Sequence, residues 1–364
     1  MRKFLLPVLS AVFLVSCCGR GSETETYHEW CSITGIVDSL YYGATAYLYI
    51  GDQVDSTDIF GDSSVEGTVS FGMEIPADTA EIGMLVIVGR YGDMASGEIV
   101  IEPGSLVIRA SGYDLDRYGT QLNERLEWYC AARDSILANN AGILPGGTSS
   151  LYRSQMHSLN ARFFNENKDN ILGTLPMLSM AHDREVFDSM YLYAGDLVRQ
   201  HPDVVSERLC FENRDMTSEG MMFKDLTLPD GSEDGTPVSL SDYVGKGRYV
   251  LVDFRQRADM LRPPYSEDGG VSLPDLYEML NEGLPEEDRY FEVVGVLMSR
   301  RNIPEEISWP LIYDTEDKVS SLYGIPDGGH EAVLFAPDGT ILMRGIYDND
   351  DLMDMVLALL PEDF

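Results

Sequence analysis

Two stretches constrain this chain more than any other. Tyr249-Val-Leu-Val-Asp-Phe254 and Tyr290-Phe-Glu-Val-Val-Gly-Val-Leu-Met298 are nearly unbroken apolar runs rich in valine. A strand with one wet face alternates apolar and polar residues. A strand that is apolar at almost every position needs cover on both faces, as strands of a parallel sheet have. Around these runs, strand and helix patterns alternate over 220–364. Phe223 to Gly231 reads as an edge strand into a turn, and Pro274 to Leu284 reads as a helix. Trp309 to Asp314 leads into a helix ending at Tyr323-Gly-Ile325. Ala332 to Phe335 and Thr340 to Arg344 flank the turn Pro337-Asp-Gly339 as a hairpin, and Asp348 to Leu360 closes the chain as a helix. That alternation predicts an α/β domain.

Earlier residues follow other periods. From Trp30 to Tyr113 come short β-rich runs: Cys31–Val37, Ala44–Ile50, Gly67–Gly72, Met84–Val88 and Ser105–Arg109. Turn pairs such as Gly51-Asp52 and Pro103-Gly104 separate them, as in a small antiparallel sandwich. From Asp114 the spacing becomes helical. Leu122, Leu126, Tyr129, Cys130 and Ile136-Leu137 mark one helix, broken at Ile143 to Ser149. Further helices are expected over 151–165, 175–182, 185–200 and 204–213. The fold class is therefore α+β and multidomain: β-sandwich, helical connector, then an α/β domain.

The N-terminus reads as a targeting segment. Arg2-Lys3 is a basic start, and Phe4 to Val15 is an apolar run too short for a permanent transmembrane helix. It ends in Leu14-Val-Ser-Cys17, which resembles a bacterial lipobox. The resemblance implies cleavage before Cys17, lipidation of its thiol, and a chain held at the cell envelope by lipid, on the periplasmic face or the outer membrane. Gly19 to Thr26 is then a flexible tether. The segments are 1–16 signal, 17–28 tether, 29–113 β domain, 114–219 helical connector and 220–364 α/β domain.

With 61 acidic against 26 basic residues the formal net charge is −35. That excludes a nucleic-acid partner, which requires a basic footprint. The five cysteines, Cys17, Cys18, Cys31, Cys130 and Cys210, contain no C-x-x-C pair. Cys130 and Cys210 both fall in helical sequence, either as buried thiols or as a pair. Five scattered histidines show no metal spacing, and Asp230–Gly235 and Asp348–Asp351 lack an EF-hand pattern. No cofactor and no metal are expected.

The order Leu240-Ser-Asp-Tyr243, Gly245-Lys246, Tyr249–Phe254, Val293-Val-Gly-Val296, Trp309-Pro310 with Asp314, Tyr323-Gly-Ile325 and Pro337-Asp-Gly339 resembles the extracytoplasmic thioredoxin-like family, near its alkyl hydroperoxide reductase and thiol-specific antioxidant group. Gly35-Ile-Val37, Gly67-x-x-Ser-Phe71 and Ile101-Glu-Pro-Gly104 resemble the N-terminal β domain of unknown function that precedes such domains in Bacteroidetes lipoproteins. Asn167-x-x-Asn170-x-x-Gly173 resembles a turn of their helical connector.

The resemblance implies a W-x-x-W-C-x-x-C segment after the strand ending at Phe254, at a helix N-terminus that activates the first thiol. None is present. One alignment places Asp259-Met-Leu-Arg262 there; the other places Ser266-Glu-Asp-Gly269. Thiol–disulfide exchange passes through a mixed disulfide, which neither segment can form. Pro263-Pro264 would also break the activating helix. The family's cis-proline position falls on His330, with Pro326 as a shifted alternative. Asp259, Arg262, Ser266 and His330 are thus degenerate active-site positions, and no catalytic residue is assigned. A Ser/His/Asp constellation from Ser266, His330, Glu331 and Asp259 has no nucleophile-elbow motif to support it. Arg255, Arg257 and Arg262 follow the first central strand and Arg300-Arg301 the second. Together they form either a site for an anionic ligand or acidic partner segment, or a set of salt bridges to Glu267, Asp268, Glu305 and Glu306. The expected role is binding by a redox-inactive domain. The alternative is a thiol–disulfide oxidoreductase using Cys130 or Cys210.

Overall fold

The computed structural model describes residues 29–62, 66–90, 92–140, 150–229, 237–255, 273–285, 289–297, 309–314, 321–325, 330–345, 354, 358 and 359. The chain forms two compact units, 1–131 and 132–364. Among the described residues no helix is long and apolar enough to cross a membrane.

Among its described residues the first unit has nine strands: β1 (Trp30–Asp38), β2 (Thr45–Ile50), β3 (Gln53–Asp58), β4 (Gly61–Asp62), β5 (Thr68–Pro76), β6 (Glu81–Val88), β7 (Met94–Ile101), β8 (Gly104–Ser111) and β9 (Asp114–Tyr118). They make two sheets, ordered β4-β5-β1-β8-β9 and β3-β2-β6-β7. Inward residues of both sheets meet in one core. Ile33, Phe71, Leu106 and Ile108 come from the first, and Leu48, Leu85, Ile87 and Ile99 from the second. The glycine of Gly35-Ile-Val37 has a packing reason: it pairs in register with Phe71, and a Cβ there would overlap the Phe71 ring.

Two expectations are corrected. The unit is not wholly antiparallel, because β1 and β8 run parallel. Between them the chain builds the other sheet and returns in the same direction to the open edge of β1. Residues 114–118 are also strand, not the start of the helical region. Their inward positions are Leu115 and Arg117, 7% and 4% exposed, so a charge takes one of the two places where a strand's alternation would put an apolar residue. The Arg117 guanidinium bonds Glu127 and the carbonyls of Leu115 and Glu98. Helix α1 (Gln121–Asn140) follows. Its Asn123 amide donates to the Val100 carbonyl at 2.7 Å and accepts from the Val100 N–H at 2.9 Å, fastening the helix start to β7.

The second unit holds helices α2 (Ser150–Asn167), α3 (Thr174–Ser179), α4 (Arg184–Tyr193), α5 (Asp196–Arg199) and α6 (Pro202–Met216). The helix expected over 185–200 breaks at Ala194-Gly195. The Gly195 N–H bonds the Lys168 carbonyl at 2.7 Å, and a Cβ there would meet Asp169. In the Asn-x-x-Asn-x-x-Gly turn, Asn167 caps back to the Phe163 carbonyl. Asn170 bonds both Asn167 and the Leu172 N–H, and Gly173 leaves room for Val198.

After a short hairpin, β10 (Thr227–Pro229) with β11 (Pro237–Ser239), comes the central sheet. Its strands are β12 (Tyr249–Arg255), β13 (Phe291–Leu297), β14 (Leu311–Tyr313), β15 (His330–Phe335) and β16 (Ile341–Gly345), in the order β14-β13-β12-β15-β16. β12, β13 and β14 are mutually parallel, while β15 and β16 are antiparallel to their neighbours. One face packs Leu251, Val293 and Leu334 against Trp309 and against Tyr277 and Leu280 of α7 (Leu273–Asn281). The other packs Val252, Phe254, Val294 and Val333 against Leu240, Val244 and Tyr323. Cover on both faces explains why β12 and β13 are apolar at successive positions.

Candidate functional site at the exit of the central strands

The last residues of β12 lie between β13 and β15 at the strand's exit. Phe254 pairs with Glu331 and Arg255 with His330 across the antiparallel ladder; on its other side Arg255 pairs with Leu297. The backbone thus brings Arg255 and His330 together. Arg257, Asp259, Arg262, Ser266, Arg300, Arg301 and Pro326 lie outside the described residues, as does Cys17.

Beside His330 the sheet carries a feature that sequence reasoning missed. Glu331 is 4% exposed. A carboxylate this deep needs charge-assisted partners, and two guanidinium groups supply them. Arg214 on α6 is bidentate, donating Nη1 to Oε2 at 2.7 Å and Nη2 to Oε1 at 3.0 Å. Arg344 on β16 donates Nε to Oε1 at 2.7 Å. Buried Arg344 spends its remaining donors on the Thr217 hydroxyl at 2.7 Å and carbonyl at 3.2 Å, and on the Tyr323 carbonyl at 2.8 Å. Asn213 adds a bond to the Ser321 carbonyl. Burial pushes the Tyr323 phenol well above its ordinary value; its hydroxyl donates to the Lys224 carbonyl. Both Glu331 oxygens thus accept guanidinium N–H bonds.

A cleft of about 860 Å³ opens beside this cluster, lined in part by Arg184, Cys210, Phe211, Arg214, Gly324 and Arg344. Gly324 has φ +60°, and a Cβ there would strike the α6 backbone at Cys210 and Arg214. This glycine lets the helix approach the sheet edge. Arg184 forms a bidentate pair with Asp215 and lies 5.4 Å from the centre of the Phe211 ring. The Arg184 hydrogen bonds hold the Asp215 carboxyl below its ordinary value.

A clue to the cluster was present in His330-Glu-Ala-Val-Leu-Phe335. An acid inside an apolar strand announces a basic partner, but nothing local names Arg214. The expected partners of the loop arginines, Glu267, Asp268, Glu305 and Glu306, lie outside the described residues. Cys31 and Cys130 are buried, Cys210 is half-buried, and none of the three is in a disulfide. Burial pushes the Cys31 thiol up. Among the described residues no group of three or more metal-ligating side chains converges.

No family model and no curated protein matches this chain. Solved structures align with part of it. The thioredoxin domain of a thiol-disulfide oxidoreductase from Bacteroides vulgatus is 25% identical over 40% of this chain and 99% of that one, with a TM-score of 0.29. A thiol:disulfide interchange protein from Bacteroides sp. is 27% identical over 39% of this chain and 90% of that one, with a TM-score of 0.29. The reduced 2-Cys peroxiredoxin of Plasmodium vivax is 16% identical over 39% and 96%, again with a TM-score of 0.29. At TM-scores this low the likeness carries no argument about fold or chemistry.

Proposed function

We propose that this is a lipid-anchored envelope protein whose thioredoxin-like C-terminal domain binds a partner and performs no thiol redox chemistry. One observation carries the reading: residues 211–364 contain no cysteine. The mixed sheet, with parallel β12 and β13 followed by antiparallel β15 and β16, supports the thioredoxin-like assignment. Cys17 is the lipid attachment point. Arg255, placed beside His330 at the strand exit, begins the basic segment that would hold an anionic ligand or an acidic partner, together with Arg257, Arg262, Arg300 and Arg301.

Cys210 favours a second reading, a thiol–disulfide oxidoreductase with a non-standard cysteine, because it is half-buried and lines the cleft beside Arg214 and Arg344. An insulin-reduction assay with dithiothreitol separates the two, paired with titration of native thiols. The expected result is no acceleration over reductant alone. Turnover that disappears in Cys210→Ser would overturn the binding reading. Native titration is expected to label Cys210 before Cys31, since a buried thiol with a raised pKa presents little thiolate.

A further inference from the structure

The outward face of the sheet β3-β2-β6-β7 forms a grid fixed by strand register. One row is Val54, Tyr49, Met84 and Glu98. The next is Ser56, Tyr47, Val86 and Ser96. The third is Asp58, Thr45, Val88 and Met94. These positions alternate with the inward Ala46, Leu48, Leu85, Ile87, Ala95 and Ile99, which are in the core. Seven of the twelve grid residues are apolar or aromatic. They are not buried: Val54 is 54% exposed, Met94 49% and Tyr49 40%. An outward face of a two-sheet unit ordinarily carries polar residues, so this composition needs a reason. The grid contains no base. Its two acids, Glu98 and Asp58, occupy diagonally opposite corners.

The surroundings share that sign. Residues 29–131 include seventeen acidic residues, four arginines and no lysine. Arg117 is buried on Glu127, and Arg90 bonds the Gly43 carbonyl. From strand and residue spacing, the grid measures about 14 by 13 Å, the footprint of roughly two helical turns. It is a face rather than a free edge, so it suits side chains of a helix better than the backbone of an added strand. A second copy of this chain would bring acid against acid.

We propose that this face docks a short basic amphipathic helix of a partner protein. Its apolar stripe covers Tyr47, Tyr49, Met84 and Val86, and its lysines or arginines reach Glu98 and Asp58. The proposal rests on the binding role proposed above but uses a different surface, so the insulin assay does not bear on it.

The test titrates the full chain with a labelled helical peptide of about 18 residues, leucine on one face and lysine on the other, read by fluorescence anisotropy. A counterpart carrying glutamate for lysine is the control. The lysine peptide is expected to bind, more weakly as salt rises, and the glutamate peptide is not. Val86→Arg, in the middle of the grid, is expected to weaken binding by about tenfold or more. Glu98→Lys with Asp58→Lys should weaken it similarly while leaving the circular dichroism spectrum unchanged. This second variant keeps the test valid if Val86→Arg does not fold. Equal binding of both peptides, no binding, unchanged affinity in the grid variants, or a dimer that Val86→Arg disrupts would each overturn the proposal.

Discussion

The central sheet buries one glutamate at each end, and the two are satisfied differently. Glu292 pairs with Val250 at the entry of β12, and Glu331 with Phe254 at its exit. Glu292 accepts from the Tyr277 hydroxyl at 2.8 Å and lies 3.5 Å from the Arg248 guanidinium. Its partners come from the covering helix and from the residue before the neighbouring strand β12. Glu331 instead draws one of its two guanidinium groups from α6, 117 residues away in sequence. The entry carboxylate holds a helix within the α/β region. The exit carboxylate ties α6 to the sheet. A buried acid can therefore stabilise either a local layer or a long-range junction, depending on where its donor arises.

The largest effect that would test this contrast is at Arg344. Arg344→Ala leaves buried Glu331 with Arg214 alone and takes a donor from each of the Thr217 and Tyr323 carbonyls. It is expected to cost about 3–5 kcal/mol in urea unfolding. Glu292→Gln keeps a neutral acceptor for Tyr277 and loses the charge, at about 1–3 kcal/mol. If Glu292→Gln proves the more damaging, the exit cluster is not the stronger junction. Smallest is the exposed Arg184–Asp215 pair. Asp215 has a lowered pKa in the folded protein, so its contribution is present above the ordinary value of 3.8 and fades as pH falls through the folded value. The difference in urea midpoint between the native chain and Asp215→Asn should therefore exist near neutrality and vanish in acid. A difference that persists there would assign Asp215 a role other than its charge.

What could be read in the sequence follows from burial. β12 and β13 were legible because cover on both faces leaves their apolar runs uninterrupted. β7 was not, since Gly97 takes an inward place and Met94 and Val100 take outward ones. Gly97 is there because a Cβ would collide with the Arg117 guanidinium, and that same arginine hides β9. Charge placed inside a sheet erases the period from which strands are recognised. At the candidate site Asp259, Arg262, Ser266 and His330 could be named from motif order alone. The cluster that stabilises the described edge could not, because Arg214 lies in another segment and its carboxylate partner is known only once the chain is folded.

The parallel pairing of β1 with β8 has a mechanical consequence. β1 is the entry strand, and it lies between two neighbours, with nine registered positions against β5 and seven against β8. Tension applied through the residues before Trp30 runs along β1, loading both ladders in shear, so that many hydrogen bonds resist together. A strand peeled from a sheet end would give way one bond at a time. A β1 held on both sides is thus suited to resist a pull along its own direction.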